Sequence, residues 1–137
     1  MNAGRPLPVP TPETAHFWDG TRNGELRLQT CRACGKTYFP ARPFCPGCAS
    51  RDVAVTRASG RGSLHSYVIS HLPAPGFEPP YVIAVVKLDE GPKMLTNIVG
   101  TPCDPALLAL DHPVEVSFVK FDEQITLPMF KLSGVAP

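Results

Sequence analysis

The chain has 137 residues, 43% of them hydrophobic and 18% charged, with 13 basic residues against 12 acidic ones. That length fits one compact unit or two very small ones, and the composition excludes an intrinsically disordered chain. A formal charge of +1 gives no whole-protein field that would draw in a polyanion, so nucleic acid is not the default partner.

The 17 prolines fall between apolar runs and predict short strands and loops rather than long helices. The longest apolar run, "YVIAVV" at 81–86, is far below the ~20 residues of a membrane helix. The N-terminal "MNAGRPLPVPTPE" carries no signal-peptide hydrophobic stretch, and a cytoplasmic protein is expected.

Residues 1–10 read as a loose arm. In "TPETAHFWDGTRNGEL", Thr11 suits an N-cap, Pro12 the first helical position and Gly24 the stop, which predicts a helix over 12–22. Ala15, Phe17 and Trp18 give it an apolar surface that must lie against something.

Next comes "CRACGKTYFPARPFCPGC", residues 31–48, in which two Cys-x-x-Cys pairs are separated by ten residues. The segment around it, from Leu26 to about Val55, is otherwise poor in apolar residues, so a hydrophobic core does not account for its folding. Two Cys-x-x-Cys turns facing each other present four sulfurs to a tetrahedral zinc, and Cys31, Cys34, Cys45 and Cys48 are the expected ligand set, with an iron or redox site as the lesser alternative. A catalytic zinc keeps one position open, whereas four thiolates close the shell, so the zinc is expected to be structural. Cys103 is read as a partly buried structural thiol.

From Gly60 onward the texture changes to β-rich runs at 62–70, 81–88, 93–100, 114–121 and 126–132. Five short strands is the count of an OB-type barrel. "DEGPK" at 89–93 reads as a hairpin turn, and 101–113 has room for one helical turn. "GRG" at 60–62 reads as a bend leading into a strand, since no helix or Lys-Ser/Thr follows to make a phosphate loop. The stiff loop "SHLPAPGFEPPY" sets Phe77 and Tyr81 where a barrel should open, as a candidate ligand channel or as a cap on the core. The fold expected is mostly β: an arm and helix over 1–25, a zinc ribbon over 26–58 and a five-stranded OB barrel over 59–137.

No catalytic constellation emerges. His16, His65, His71 and His112 are scattered, no His-Glu-x-x-His or Gly-x-Ser-x-Gly pattern is present, and the acidic pairs Asp89/Glu90 and Asp122/Glu123 fall in turns. Arg27, Arg32, Lys36, Arg42, Arg51, Arg57 and Arg61 form a locally basic stretch in which the only acid is Asp52. This stretch keeps a single-stranded nucleic-acid module open as the alternative function. An independent hydrolase or binding protein using the barrel mouth ranks last.

The order of "FWDGTRNGELRLQTC", the ribbon, "SGRGSLHSYVI", "PPYVIAVVKLDEGPKMLTNIVG" and "DHPVEVSFVKF" closely resembles the zinc-ribbon plus OB-fold proteins that accompany acyl-CoA enzymes. That family was first catalogued only as a domain of unknown function, and the likeness covers about residues 12–132. The resemblance implies a non-catalytic, stand-alone auxiliary subunit with structural zinc. Its implied partner is a thiolase-superfamily enzyme, foremost a lipid-transfer-protein-like aldolase that cleaves sterol side-chain CoA esters by retro-aldol reaction. Phe17 and Trp18, with Tyr38 and Phe39 from the ribbon, are the expected partner contacts, and the barrel near Phe77 and Tyr81 is expected to border a CoA or substrate channel. Stoichiometric zinc should co-purify with the chain; metal analysis that finds none in folded protein would refute the ribbon assignment.

Overall fold

The computed structural model describes residues 5–134; the first four residues of the expected arm and the last three of the expected barrel domain lie outside the described residues. In chain order the elements are α1 (Ala15–Arg22), β1 (Arg27–Cys31), β2 (Thr37–Tyr38), β3 (Val53–Arg57), β4 (Arg61–Ser70), β5 (Tyr81–Leu88), β6 (Lys93–Ile98), β7 (Pro113–Lys120) and β8 (Thr126–Leu132). Strands β2-β1-β3 make a small antiparallel sheet, and β4-β5-β6-β8-β7 close into a barrel. No helix among the described residues is long and apolar enough to cross a membrane.

The helix is about one turn shorter than expected. Thr11 and Thr14 close a turn of their own, in which the Thr14 N–H donates to the Thr11 carbonyl (3.0 Å) and the Thr11 N–H donates to Thr14 Oγ1 (2.9 Å). Pro12 and Glu13 are held in that turn, and Thr14 takes the N-cap position. At the other end the Glu25 N–H donates to the Gly20 carbonyl and the Gly24 N–H to the Thr21 carbonyl, the paired bonds of a Schellman stop. Arg22 Nη1 donates to the Gln124 carbonyl (2.7 Å) and ties the helix end to the turn before β8.

In the barrel, alternation places Val82, Ala84, Val86 and Leu88 of β5 inward, together with Leu64, Met94, Ile98, Val114, Phe130 and Leu132. At Gly62 one residue of β4 pairs with both Leu88 of β5 and Val114 of β7. A Cβ there would collide with the Lys87 carbonyl, so only glycine lets the strands cross this closely. A bulge between Leu64 and Ser66 bends β4 around the barrel. The 89–93 hairpin forms as expected, with the Gly91 N–H on the Leu88 carbonyl (2.9 Å).

Three further expectations change. The ribbon segment is not without an apolar core: Leu26 and Leu28 are each 2% exposed and join Phe17 and Ala58 in the same cluster as the barrel interior. Residues 101–113 contain hydrogen-bonded turns but no assigned helix, because Asp104 Oδ1 takes the Ala106 N–H and only short-range bonds from Leu107 and Leu108 follow. Leu108 nonetheless reaches the barrel core. The arm is anchored from Arg5 onward: its guanidinium lies 3.8 Å from the Phe77 ring centroid and 4.8 Å from that of Phe121, and Nη2 donates to Asn97 Oδ1 (3.2 Å).

Because the ribbon and barrel share one cluster, truncating a ribbon-side leucine should weaken the barrel. Leu26→Ala is expected to cost about 2–5 kcal/mol. Denaturant unfolding measures the loss, and amide exchange in β5 should accelerate in step; a β5 unaffected by the change would refute the shared core.

Candidate metal centre and flanking surfaces

The two Cys-x-x-Cys turns are near copies of each other. In the first, the Cys31 N–H donates to the Lys36 carbonyl (2.9 Å) and the Gly35 N–H to the Cys31 carbonyl (2.8 Å); in the second, the Cys45 N–H donates to Ser50 (2.8 Å) and the Ala49 N–H to Cys45 (2.9 Å). Each turn also aims an amide at a sulfur, from Cys34 to Cys31 Sγ (3.4 Å) and from Gly47 to Cys45 Sγ (3.3 Å).

The four sulfurs lie within 4.8 Å of one another, with Cys31–Cys48 and Cys34–Cys45 each at 3.6 Å. A tetrahedron with Zn–S of ~2.3 Å has edges of about 3.8 Å, so the donor set fits zinc in both chemistry and spacing. None of these cysteines is in a disulfide.

The local fields favour thiolate formation unevenly. The Cys34 amide, more than any other group, lowers the Cys31 thiol to about 7. At Cys48 the Ser50 N–H favours the thiolate, but hydrogen bonding to the Cys31 and Cys34 sulfurs, together with burial, pushes the thiol to about 12. Four negative sulfurs at this spacing repel one another, and a divalent cation among them reverses that balance. Cys31, Cys34, Cys45 and Cys48 thus form a four-thiolate set that would hold a structural zinc in a closed shell.

Beside the sulfurs, Tyr38 is 4% exposed and packs with Cys31 and Cys45; its hydroxyl donates to the Arg42 carbonyl (3.1 Å). Burial, reinforced by the nearby sulfurs, raises its phenol above the ordinary value. Gln29, also buried, accepts the Arg42 N–H at Oε1 (2.7 Å) and so pins the loop between the two knuckles to β1.

The expected contact residues separate into two pairs. Phe17 and Tyr38 are buried and support their surroundings from beneath. Trp18 and Phe39 are half-buried, meet Phe17 at ring-centroid distances of 4.9 and 5.2 Å, and line an apolar groove of about 290 Å³. Leu95, 72% exposed, lies in the same groove, and sequence reasoning missed it because outward leucines on strands are common. Phe77 and Tyr81 come together at 4.7 Å and line a second pocket of about 380 Å³ with Arg5, Val82 and Phe121. Cys103 is half-buried beside the barrel core, and its thiol donates to the Pro80 carbonyl (3.4 Å).

The histidines remain apart. His65 and His71 are exposed, His112 Nε2 lies 3.1 Å from the Ser133 carbonyl oxygen, and burial lowers the pKa of His16. Asp122 Oδ1 accepts the Gln124 and Ile125 N–H groups and Glu90 Oε2 accepts that of Ser59, so these acids serve turns. The basic stretch is partly neutralised: Arg27 and Arg57 pair with Glu25, and Arg32 with Asp52.

Residues 18–54 match the family described as "ChsH2, rubredoxin-like zinc ribbon domain", and residues 55–135 match "ChsH2, C-terminal OB-fold domain". The 3-oxo-4,17-pregnadiene-20-carboxyl-CoA hydratase alpha subunit of Mycobacterium tuberculosis is 38% identical over 117 residues, covering 85% of this chain and 37% of that protein. A DUF35 domain-containing scaffold protein of Pyrococcus furiosus is 41% identical over 122 residues, 88% of this chain and 85% of that protein. Among solved structures, the one described as "Ltp2-ChsH2(DUF35) aldolase" superposes with a TM-score of 0.82 at 34% identity, over 93% of this chain and 99% of the matched chain. The chain spans about two-fifths of the length of the hydratase alpha subunits it matches.

The twin knuckles differ at one position that demands a left-handed backbone, Gly35 (φ 79°) in the first and Ala49 (φ 64°) in the second. Ala49→Gly should therefore stabilise the zinc-loaded protein by roughly 0.5–1 kcal/mol, while Gly35→Ala should destabilise it by about 1 kcal/mol. Thermal melts of the zinc-loaded variants check both signs.

Proposed function

The chain belongs to the ChsH2 (DUF35) family of zinc-ribbon and OB-fold proteins, and on that premise we propose that it is a non-catalytic subunit that binds and completes an acyl-CoA enzyme. The observation that carries this reading is the apolar groove beside α1. Trp18, Phe39 and Leu95 present bulky surface to solvent there, while no nucleophile, base and orienting group converge among the described residues. Aromatic side chains at the rim of a groove are the usual anchors of a protein interface.

The partner we infer is a thiolase-superfamily enzyme, foremost a lipid-transfer-protein-like aldolase that cleaves sterol side-chain CoA esters by retro-aldol reaction. An aldolase assembly among the matched structures and a steroid-CoA hydratase subunit among the relatives support this choice. In such a complex the partner's side chains polarise the thioester and move the protons. This chain contributes the stiff zinc knuckles, which hold the Phe39–Ala41 segment in place, and the barrel mouth at Phe77 and Tyr81, which borders the path taken by the acyl-CoA.

Ion pairing of Arg27, Arg32 and Arg57 within the chain removes much of the feature that favoured a nucleic-acid module. Co-expression with a thiolase-like enzyme encoded beside it should yield a stable complex, and Trp18→Ala should weaken that complex at least tenfold, about 1.4 kcal/mol, while zinc stays bound. Size-exclusion chromatography and titration measure both. A chain that elutes alone beside an active enzyme, and changes neither its activity nor its stability, would refute this reading.

A further inference from the structure

Strand β6 is unequally held on its two sides. Toward β5 it pairs at six positions, from Lys87↔Lys93 to Val82↔Ile98; toward β8 it pairs at one, Ile98↔Phe130. The Val99 N–H donates to the Phe130 carbonyl (2.8 Å), which fixes the edge that the odd-numbered residues of β6 face. Backbone groups of alternate residues point to the same edge of a strand. The N–H and C=O of Leu95 therefore look toward β8, and no strand is paired with them among the described residues.

Across the gap stands Pro128, which has no N–H to offer; its carbonyl accepts the Thr96 hydroxyl (2.9 Å). The apolar groove of about 290 Å³ occupies this gap. Leu95 lies on one bank, Leu127 and Pro128 on the other, and Trp18 and Phe39 stand at its rim.

Phe39 also lines a neighbouring polar pocket of about 500 Å³, together with Lys36, Arg42 and Lys93, and with Glu90 as its one carboxylate. Glu90 is already engaged through Oε2 by the Ser59 N–H. One surface thus combines an open backbone edge, an apolar trough and a cationic end.

We propose that the β6 edge receives an extended segment of the partner subunit as an added strand. The Leu95 N–H and C=O bond to its backbone, an apolar side chain of the segment fills the groove beside Trp18 and Phe39, and an acidic residue at its end meets Lys36, Arg42 and Lys93. A backbone donor and acceptor side by side on a strand edge are matched by another backbone, and an apolar trough ending in three cations selects an apolar segment that ends in an acid. The inference rests on the subunit reading above and assigns it a docking mode.

The test compares amide exchange at Leu95 in the free chain and in the complex purified after co-expression, alongside Leu95→Asp and, as a control two strands away on β4 and outside the groove lining, Val68→Asp. Leu95 is 72% and Val68 58% exposed, so both variants keep the core intact. Expected are at least tenfold slower exchange at Leu95 in the complex, at least tenfold weaker binding by Leu95→Asp, and unchanged binding by Val68→Asp. A complex in which Leu95 exchanges as in the free chain overturns the strand addition and leaves the subunit reading standing. Failure to form any complex overturns both. Protection of Leu95 that appears when the chain alone is concentrated assigns the edge to a second copy and also overturns the proposal.

Discussion

The apolar cluster that Phe17, Leu26 and Leu28 share with Leu64, Val86 and Phe130 is the joint on which the architecture depends. A zinc knuckle orders only the few residues around its sulfurs, and a helix of eight residues is not stable alone. By sending Leu26 and Leu28 from the foot of the ribbon sheet into the barrel's cluster, the chain makes helix, ribbon and barrel one packed body. The groove lies where these three parts meet, and the cationic pocket where ribbon meets barrel. Their shape is therefore a property of the joint rather than of any one part.

Within that body, metal and apolar packing divide the labour by distance. Close to the sulfurs there is room for little besides Tyr38 and Val53, so coordination orders the tip. A few residues away, Leu26, Leu28 and Ala58 take over by burial. The loop between the knuckles is reached from both sides, by the Tyr38 hydroxyl and by Gln29, and its Phe39 is thereby presented at a fixed place. Metal that performs no chemistry can still determine function in this way, by making a surface reproducible.

Much of this was legible in the sequence because its signals are local. Cysteine spacing announces the knuckles, and the five barrel strands follow from alternation and turn residues, with ends that differ from those expected by two residues at most. What was not legible depends on partners distant in the chain. Thr37–Tyr38 is too short to register as a strand, and it exists because Gln29 and Thr30 lie opposite. Tyr38 reads as a surface aromatic until the sulfurs close around it. The arm looks loose because its anchor, Arg5, finds Phe77 and Phe121 only in the folded chain. The incomplete seam between β6 and β8 has no sequence signal at all beyond Pro128, since an unpaired edge is a statement about which strands fail to meet.

The Arg5 contact gives the barrel mouth a polarity that its mostly apolar lining hides. The guanidinium rests on the electron-rich faces of two rings, and partial burial lowers its pKa. Anything that enters beside Phe77 and Tyr81 meets this fixed positive charge backed by aromatic walls, together with the Glu78 carboxylate that lines the same pocket. The chain thus carries, in its own N-terminal arm, a cation that shares the barrel opening with the Glu78 carboxylate, so that an entering molecule is sorted by where its charges sit.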